Sequence, residues 1–356
     1  MSAAPITEAG RAAAPAAGRR RWMKAAAGWL AGGFGALGCD LAQAAGSASP
    51  MATAPSSAPA TPVALDDRMP AFWRAYDASL ALPPQERAQR LVREFFSPAQ
   101  ALYARAGSKA PDAAAAGRWL ARFDPIAPDV RAVSARVTTE LPANLDRFRA
   151  ALPDFDPAVS PIAVLPSLFA FDAHLEPGGA TLPLFFGPDG IVRYHGTRAD
   201  LDVLFSHEIF HCYQAQRNPA LMLASNPPVY GNLWIEGVAT WASGQLNPGA
   251  SLLHVLLDDE ALFRDGPRTA PRVAAAMLAR LDATDDATLA GFFGAGQTGL
   301  EWPSRAGYYV GYLAARRIGA ELSMREMAAL PMARIRERVV PVLQDLRDGS
   351  GVGSST

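Results

Sequence analysis

Residues 200–219 read DLDVLFSHEIFHCYQAQRNP, and the segment His207-Glu208-Ile209-Phe210-His211 within them decides how the rest of the chain is read. Residues four apart on a helix lie on one face. Both imidazoles therefore reach one point in space with Glu208 beside it. H-E-x-x-H in this form is a place for a zinc ion with a general base next to the water that the ion activates. The flanks predict the helix. Asp200 suits an N-cap, Leu201, Leu204 and Phe205 build an apolar stripe, and Asn218-Pro219 stops it.

Catalytic zinc takes three protein ligands and leaves a fourth place for water. Residues 212–222 contain no third histidine. Residues 233–242 read LWIEGVATWA, a helix in which Glu236 is the only ionisable side chain. A buried carboxylate without a partner is costly, and a cation nearby removes that cost. Glu236 is therefore the expected third ligand. It stands 25 positions after His211, which leaves room for a turn between two antiparallel helices. Pro227-Pro228 and Gly231-Asn232 are expected to form that turn, with Asn232 capping the second helix and Gly244 ending it.

The chain has 356 residues, half of them apolar, enough for one sizeable core. Lys and Arg number 33 against 34 Asp and Glu, so no nucleic-acid footprint is present. The two cysteines are Cys39, in the leader, and Cys212. No zinc ribbon or internal disulfide can be built from them, so any metal must be held by His and carboxylate. Cys212 follows a ligand but points to another side of the helix, which makes it a buried structural thiol.

Around the motif the chain reads as α+β, helix-rich with a small central sheet and a helical C-terminal part. Met69, Phe72, Trp73 and Tyr76 recur at helical spacing, Pro83-Pro84 opens a helix over residues 85–96, and a third covers 98–106. Residues 162–171 form a β-rich apolar run. Residues 181–186 and 191–194, joined by Gly187-Pro188-Asp189-Gly190, are expected to form a hairpin. One domain spans residues 66–345, preceded by an Ala/Pro/Ser-rich tether over 45–65 and followed by a flexible tail over 346–356.

HEIFH followed by WIEGVATW resembles the gluzincins, metallopeptidases with H-E-x-x-H and a downstream Glu on a second helix. Gly307-Tyr308-Tyr309-Val310-Gly311-Tyr312 further resembles a set of zinc-dependent proteases predicted in bacteria. The resemblance covers roughly residues 160–345. It implies a zincin-like fold with a short sheet above the H-E-x-x-H helix, one Zn2+ per chain and hydrolysis of peptide bonds. His207, His211 and Glu236 match the metal ligands and Glu208 the base. In the best-known members an Asp four residues after the ligand Glu orients a histidine. Here that position is Thr240, and Asp200, Asp202 or a backbone carbonyl is left for the role.

A tetrahedral oxyanion needs a donor besides the metal. Tyr308 and Tyr312 share a helical face, and either can serve, or Tyr308, Tyr309 and Tyr312 all pack in the core. His195 is a second possible donor or a surface histidine, and His174 and His254 have no motif around them. Three functions remain open: a metallopeptidase acting on peptide or protein, a zinc hydrolase of a non-peptide amide, and a zinc-stabilised binding module without activity. Glu208 favours hydrolysis, because a purely structural site does not need it.

Residues 1–44 read as an export signal. Arg19-Arg20-Arg21-Trp22-Met23-Lys24 resembles a twin-arginine pattern, a weakly apolar run follows over 25–38, and Ala42-Gln43-Ala44 is a small-residue cleavage site. Ala36-Leu37-Gly38-Cys39 offers a lipoprotein alternative, with Cys39 carrying the lipid that would tether the chain to a membrane. Either reading places the protein in the periplasm or cell envelope.

Overall fold

The computed structural model describes residues 65–176 and 181–349. The expected leader with Cys39, the tether up to residue 64 and the tail from residue 350 lie outside the described residues.

Strand β1 (Leu65–Asp67) leads into helix α1 (Met69–Ser79), whose expected apolar side, Met69, Phe72, Trp73 and Tyr76, is buried. Helix α2 (Pro84–Leu91) starts at the proline pair and continues as a wider π turn over Val92–Phe96. Helix α3 (Ala113–Phe123) is capped by Asp112, which accepts from the Ala115 N–H. Phe72 is the hub of this layer. Its fully buried ring meets Trp73, Tyr76, Phe95, Trp119 and Phe123 at centroid distances of 4.9, 5.8, 5.4, 5.8 and 5.4 Å. Truncating such a ring to Ala costs about 3–5 kcal/mol.

Helix α4 (Ala127–Ala151) carries this layer over to the H-E-x-x-H helix, α6 (Leu201–Arg217). Phe148 packs on Phe210 and Tyr213, and Asn144 Nδ2 donates to the Asp202 carbonyl and the Ser206 hydroxyl.

Strands β2 (Ile162–Val164), β3 (Ala173–Leu175) and β4 (Leu184–Phe186) join β1 in one sheet of order β1-β2-β4-β3. β1 is parallel to β2 and β2 to β4, whereas β3 is antiparallel to β4 and forms an edge. The sheet rests on α6 through Phe186, whose ring meets Phe205 at 5.2 Å. The fold is thus α+β, helix-rich with a small four-stranded mixed sheet.

The expected hairpin is corrected here. β4 ends at Phe186, and residues 188–195 form helix α5 (Pro188–His195), not a strand. Pro188 at the first turn has its φ preset for a helix. A Cβ on Gly190 would stand 1.8 Å from the Phe171 carbonyl oxygen, so only glycine lets α5 lie this close to the chain before β3. The antiparallel partner of β4 is the upstream β3. The apolar run over 162–171 is strand only to Val164. Leu168 and Phe169 turn left-handed, at φ 59 and 62, and the Asp189 carboxylate receives the N–H groups of Ser167 and Phe169.

The C-terminal part comprises α7 (Val229–Leu246), α8 (Glu260–Leu278), α9 (Ala306–Ile318) and α10 (Met332–Arg347) with short helices between them. α7 packs against both α6 and α9, and α8 against α9 and α10. Helix α10 runs two residues into the expected tail.

Candidate metal centre

Helix α6 is built as its sequence demands. Asp200 accepts from the Val203 N–H at 3.1 Å, satisfying one of the free donors of the first turn. Asn218 ends the helix, and its side chain caps the short helix Pro219–Met222. His207 and His211 are one turn apart and both buried, with ring centroids at 4.8 Å.

Helix α7 supplies Glu236 but with different ends from those expected. It starts at Val229 after Pro228, and Asn232 lies inside it, donating Nδ2 to the carbonyls of Pro227 and Pro228 at 2.6 and 3.2 Å. Gly244 is likewise internal. A Cβ there would meet Val255 Cγ2 at 3.2 Å, so the helix continues through glycine along that neighbour to Leu246.

The three side chains converge. His207 Nε2 and His211 Nε2 are 3.1 Å apart, and Glu236 Oε2 lies 3.5 Å from each. The Glu236 Oε2 atom is buried without a hydrogen-bond partner, as an acceptor waiting for a cation would be. His211 Nδ1 faces Gln214 Oε1 at 3.1 Å and must donate to it, which leaves the Nε2 lone pair for the centre. Four-coordinate zinc with bonds of about 2.0–2.1 Å separates its ligand atoms by about 3.3 Å, close to all three sides of this triangle. The buried group of His207, His211 and Glu236 could hold a metal ion.

Burial pushes His207 down to about 4, reinforced by the charges of His211 and Arg305 and opposed by Glu236. Burial acts on His211 the same way, but the close approach and charge of Glu236, with Glu208, outweigh it and leave the pKa raised. For Glu236, burial is outweighed by both histidines, which hold it well below the ordinary carboxylate value. Glu236 and His207 are therefore held in the ionisation states that ligate, whereas His211 holds its proton more tightly and must release it to ligate.

Support for the ligands differs from the expectation. Gln214, one turn along α6, orients His211. Thr240 donates to the Glu236 carbonyl at 2.7 Å, tying down the helix that carries the ligand. Asp200 is spent on the cap and Asp202 on Asn144 and Arg147, so neither serves a ligand. His207 Nδ1 is buried without a hydrogen-bond partner.

A cavity of about 50 Å3 opens over the three side chains, lined by them, Glu208, Tyr308 and residues 172–175. Tyr308 stacks on His207, with centroids 6.3 Å apart and planes 15° apart. Tyr312 is not part of this lining. One turn further along α9, it pairs with Tyr309 at 6.4 Å and lies under Arg316 at 5.7 Å. Cys212 is buried, as expected. His254 is half-exposed near Asp200 and Asp258. His195 is neither a surface residue nor a lining one: it is buried against Asp172.

Residues 172–175 are the part of the site that motif reading missed. Four consecutive residues border the cavity although neighbours in a strand face opposite ways, so it is the free edge of β3 that forms the wall. His174 itself sits beside Phe185, on the sheet face opposite Phe186, with Nε2 2.8 Å from Glu176. The alternation Asp172-Ala173-His174-Leu175-Glu176, polar at every second place, was the available signal.

Comparison with family models, curated proteins and solved structures returns no match.

Proposed function

We propose that the protein is a zinc-dependent metallopeptidase of gluzincin type, with a zincin-like arrangement around α6 and α7. The observation that carries this reading is the triangle of His207 Nε2, His211 Nε2 and Glu236 Oε2 sharing a cavity with Glu208. When bound, the zinc ion supplies a Lewis acid that acidifies a water and polarises the scissile carbonyl. Glu208 takes the proton of the attacking water and delivers it to the leaving amine. Tyr308 lines the same cavity and is the donor for the oxyanion, whereas Tyr312 has no such place.

A peptide fits the cleft better than a compact amide does, and the reason is the β3 edge. The β3–β4 ladder uses residues 172, 174 and 176: the Gly187 N–H donates to the Asp172 carbonyl and the Glu176 N–H to the Pro183 carbonyl. The main-chain groups of Ala173 and Leu175 therefore face away from β4, toward the cavity. The Ala173 N–H is already taken by Asp172 Oδ1. The Ala173 carbonyl and the Leu175 N–H are left to align an extended substrate by strand addition. The edge on offer is β3, not the strand near residue 184, which lies inside the sheet. The leader motifs favour action in the periplasm or at the cell envelope.

The deciding experiment pairs zinc analysis of the purified protein with hydrolysis of a generic peptide library, with and without chelator. Chelator-sensitive cleavage is the expected result. A protein free of zinc after growth with added zinc sinks the proposal.

A further inference from the structure

Two buried polar side chains outside the chemistry hold the two walls of the cleft, and both reach the same turn. One wall is the β3 edge beginning at Asp172. Asp172 Oδ2 lies 2.6 Å from His195 Nε2, with these side chains 2% and 3% exposed. The other His195 nitrogen donates to the Leu257 carbonyl at 2.9 Å. The ring is held at both ends, so it transmits the position of Leu257 to Asp172. The second wall is Tyr308. The Arg305 guanidinium lies 4.2 Å over its ring, and Arg305 Nη1 lies 3.6 Å from Asp259 Oδ2. Arg305 is 6% exposed, and its Nε and Nη2 have no acceptor, so its placement is not explained by ion pairing alone.

Leu257 and Asp258 are consecutive left-handed residues, at φ 58 and 57, and Arg305 is a third, at φ 63. These are three of the five non-glycine residues of positive φ among the described residues. Side-chain-bearing residues avoid this region, and they persist there only when the surroundings dictate it. The turn is pinned by the Leu257 N–H on the His254 carbonyl, the Asp258 N–H on the Leu253 carbonyl and Asp259 Oδ1 capping α8. A cavity of about 50 Å3 has room for a few waters, so small wall movements decide what enters.

We propose that the Leu257–Asp259 turn is a clasp that sets the width of the cleft, with His195 and Arg305 as its two positioning residues. The role in substrate fit rests on the peptidase reading; the mechanical coupling does not.

Amide hydrogen exchange on the full chain tests the coupling without any ligand. His195→Ala should speed exchange at residues 172–176 and also across the cleft at 305–310, by about tenfold. Acceleration confined to 172–176 overturns the clasp. Asp258→Val, whose branched side chain resists the left-handed turn from a position outside both walls, should accelerate both segments, and acceleration of one segment alone or of neither overturns the clasp as well. This variant decides the matter if His195→Ala fails to fold.

Two zinc-directed probes then read the width. Acetohydroxamate reaches the metal alone, whereas N-acetyl-Leu-Ala hydroxamate must also fit between the walls. His195→Ala and Arg305→Met should each weaken the dipeptidyl probe about tenfold and leave acetohydroxamate within about twofold, with partial recovery in Arg305→Lys. The double variant should lose no more than the worse single one, because both act through one turn. Multiplying losses, or unchanged affinity for the dipeptidyl probe, overturn the proposal. Wild-type protein that binds neither probe counts against the zinc reading, and the exchange result still decides the clasp.

Discussion

Gly237 and Gly311 touch backbone to backbone where α7 crosses α9. A Cβ on Gly237 would stand 2.4 Å from the Gly311 carbonyl carbon, and one on Gly311 2.7 Å from the Leu233 carbonyl oxygen. Gly237 follows the candidate ligand Glu236 and Gly311 lies three residues after Tyr308, so this contact sets the helix of Glu236 against the helix of the tyrosine. Gly237→Ala should destabilise the protein by about 1–3 kcal/mol and lower metal affinity as well. Urea unfolding with a zinc competition assay measures both. A variant as stable and as tight as wild type would show that the helices part freely.

The ligand set makes a sharper demand. Wild-type protein should hold about one zinc per chain, and His207→Ala or His211→Ala should remove it. Glu236→Gln should weaken zinc binding by at least about 10–100-fold, since an anion leaves the triangle. Equal zinc by elemental analysis in wild type and all three variants rules the centre out.

Glu208→Gln separates chemistry from binding. The amide is close in size but cannot accept a proton at neutral pH. Zinc and fold should be retained, while hydrolysis falls about 10²–10⁴-fold. Full activity toward every cleaved substrate would remove Glu208 from the mechanism.

Asp189 links stability to pH. Burial raises its pKa above the usual 3.8 and outweighs the hydrogen bonds from Phe169 and Ser167. Above pH 3.8 the unfolded chain therefore releases a proton that the fold still holds, and stability falls as pH rises toward the folded pKa. Asp189→Asn lacks this linkage but loses an acceptor at the Leu168–Phe169 turn, at a cost of about 1–3 kcal/mol. The wild-type advantage over Asp189→Asn should be largest near pH 4 and shrink toward pH 7. Urea unfolding of both proteins across that range would contradict this if the advantage grew instead.

Export is read at the N-terminus of the mature protein. A start at Ala45 supports simple cleavage and a start at Cys39 the lipoprotein alternative, whereas an intact Met1 refutes both.

His207, Glu208 and His211 were legible in the sequence because helical spacing, an N-cap at Asp200 and a stop at Asn218 all lie within one short segment. Glu236 was legible for an energetic reason, as a lone carboxylate in an apolar helix that needs a cation. Only the tertiary structure decided what stands around them. Residues 191–194 carry the β-rich composition of a strand, yet Gly190 against the Phe171 carbonyl makes them helix and leaves residues 173–175 as the edge of the sheet. Tyr308 and Tyr312 share a helical face in the sequence, and only Tyr308 lines the cavity. His195 meets Asp172 across 23 residues and Leu257 across 62. Periodicity and caps are local and repeat within a few residues. Contacts over such separations are set by which faces can pack together, and no short stretch of sequence encodes that.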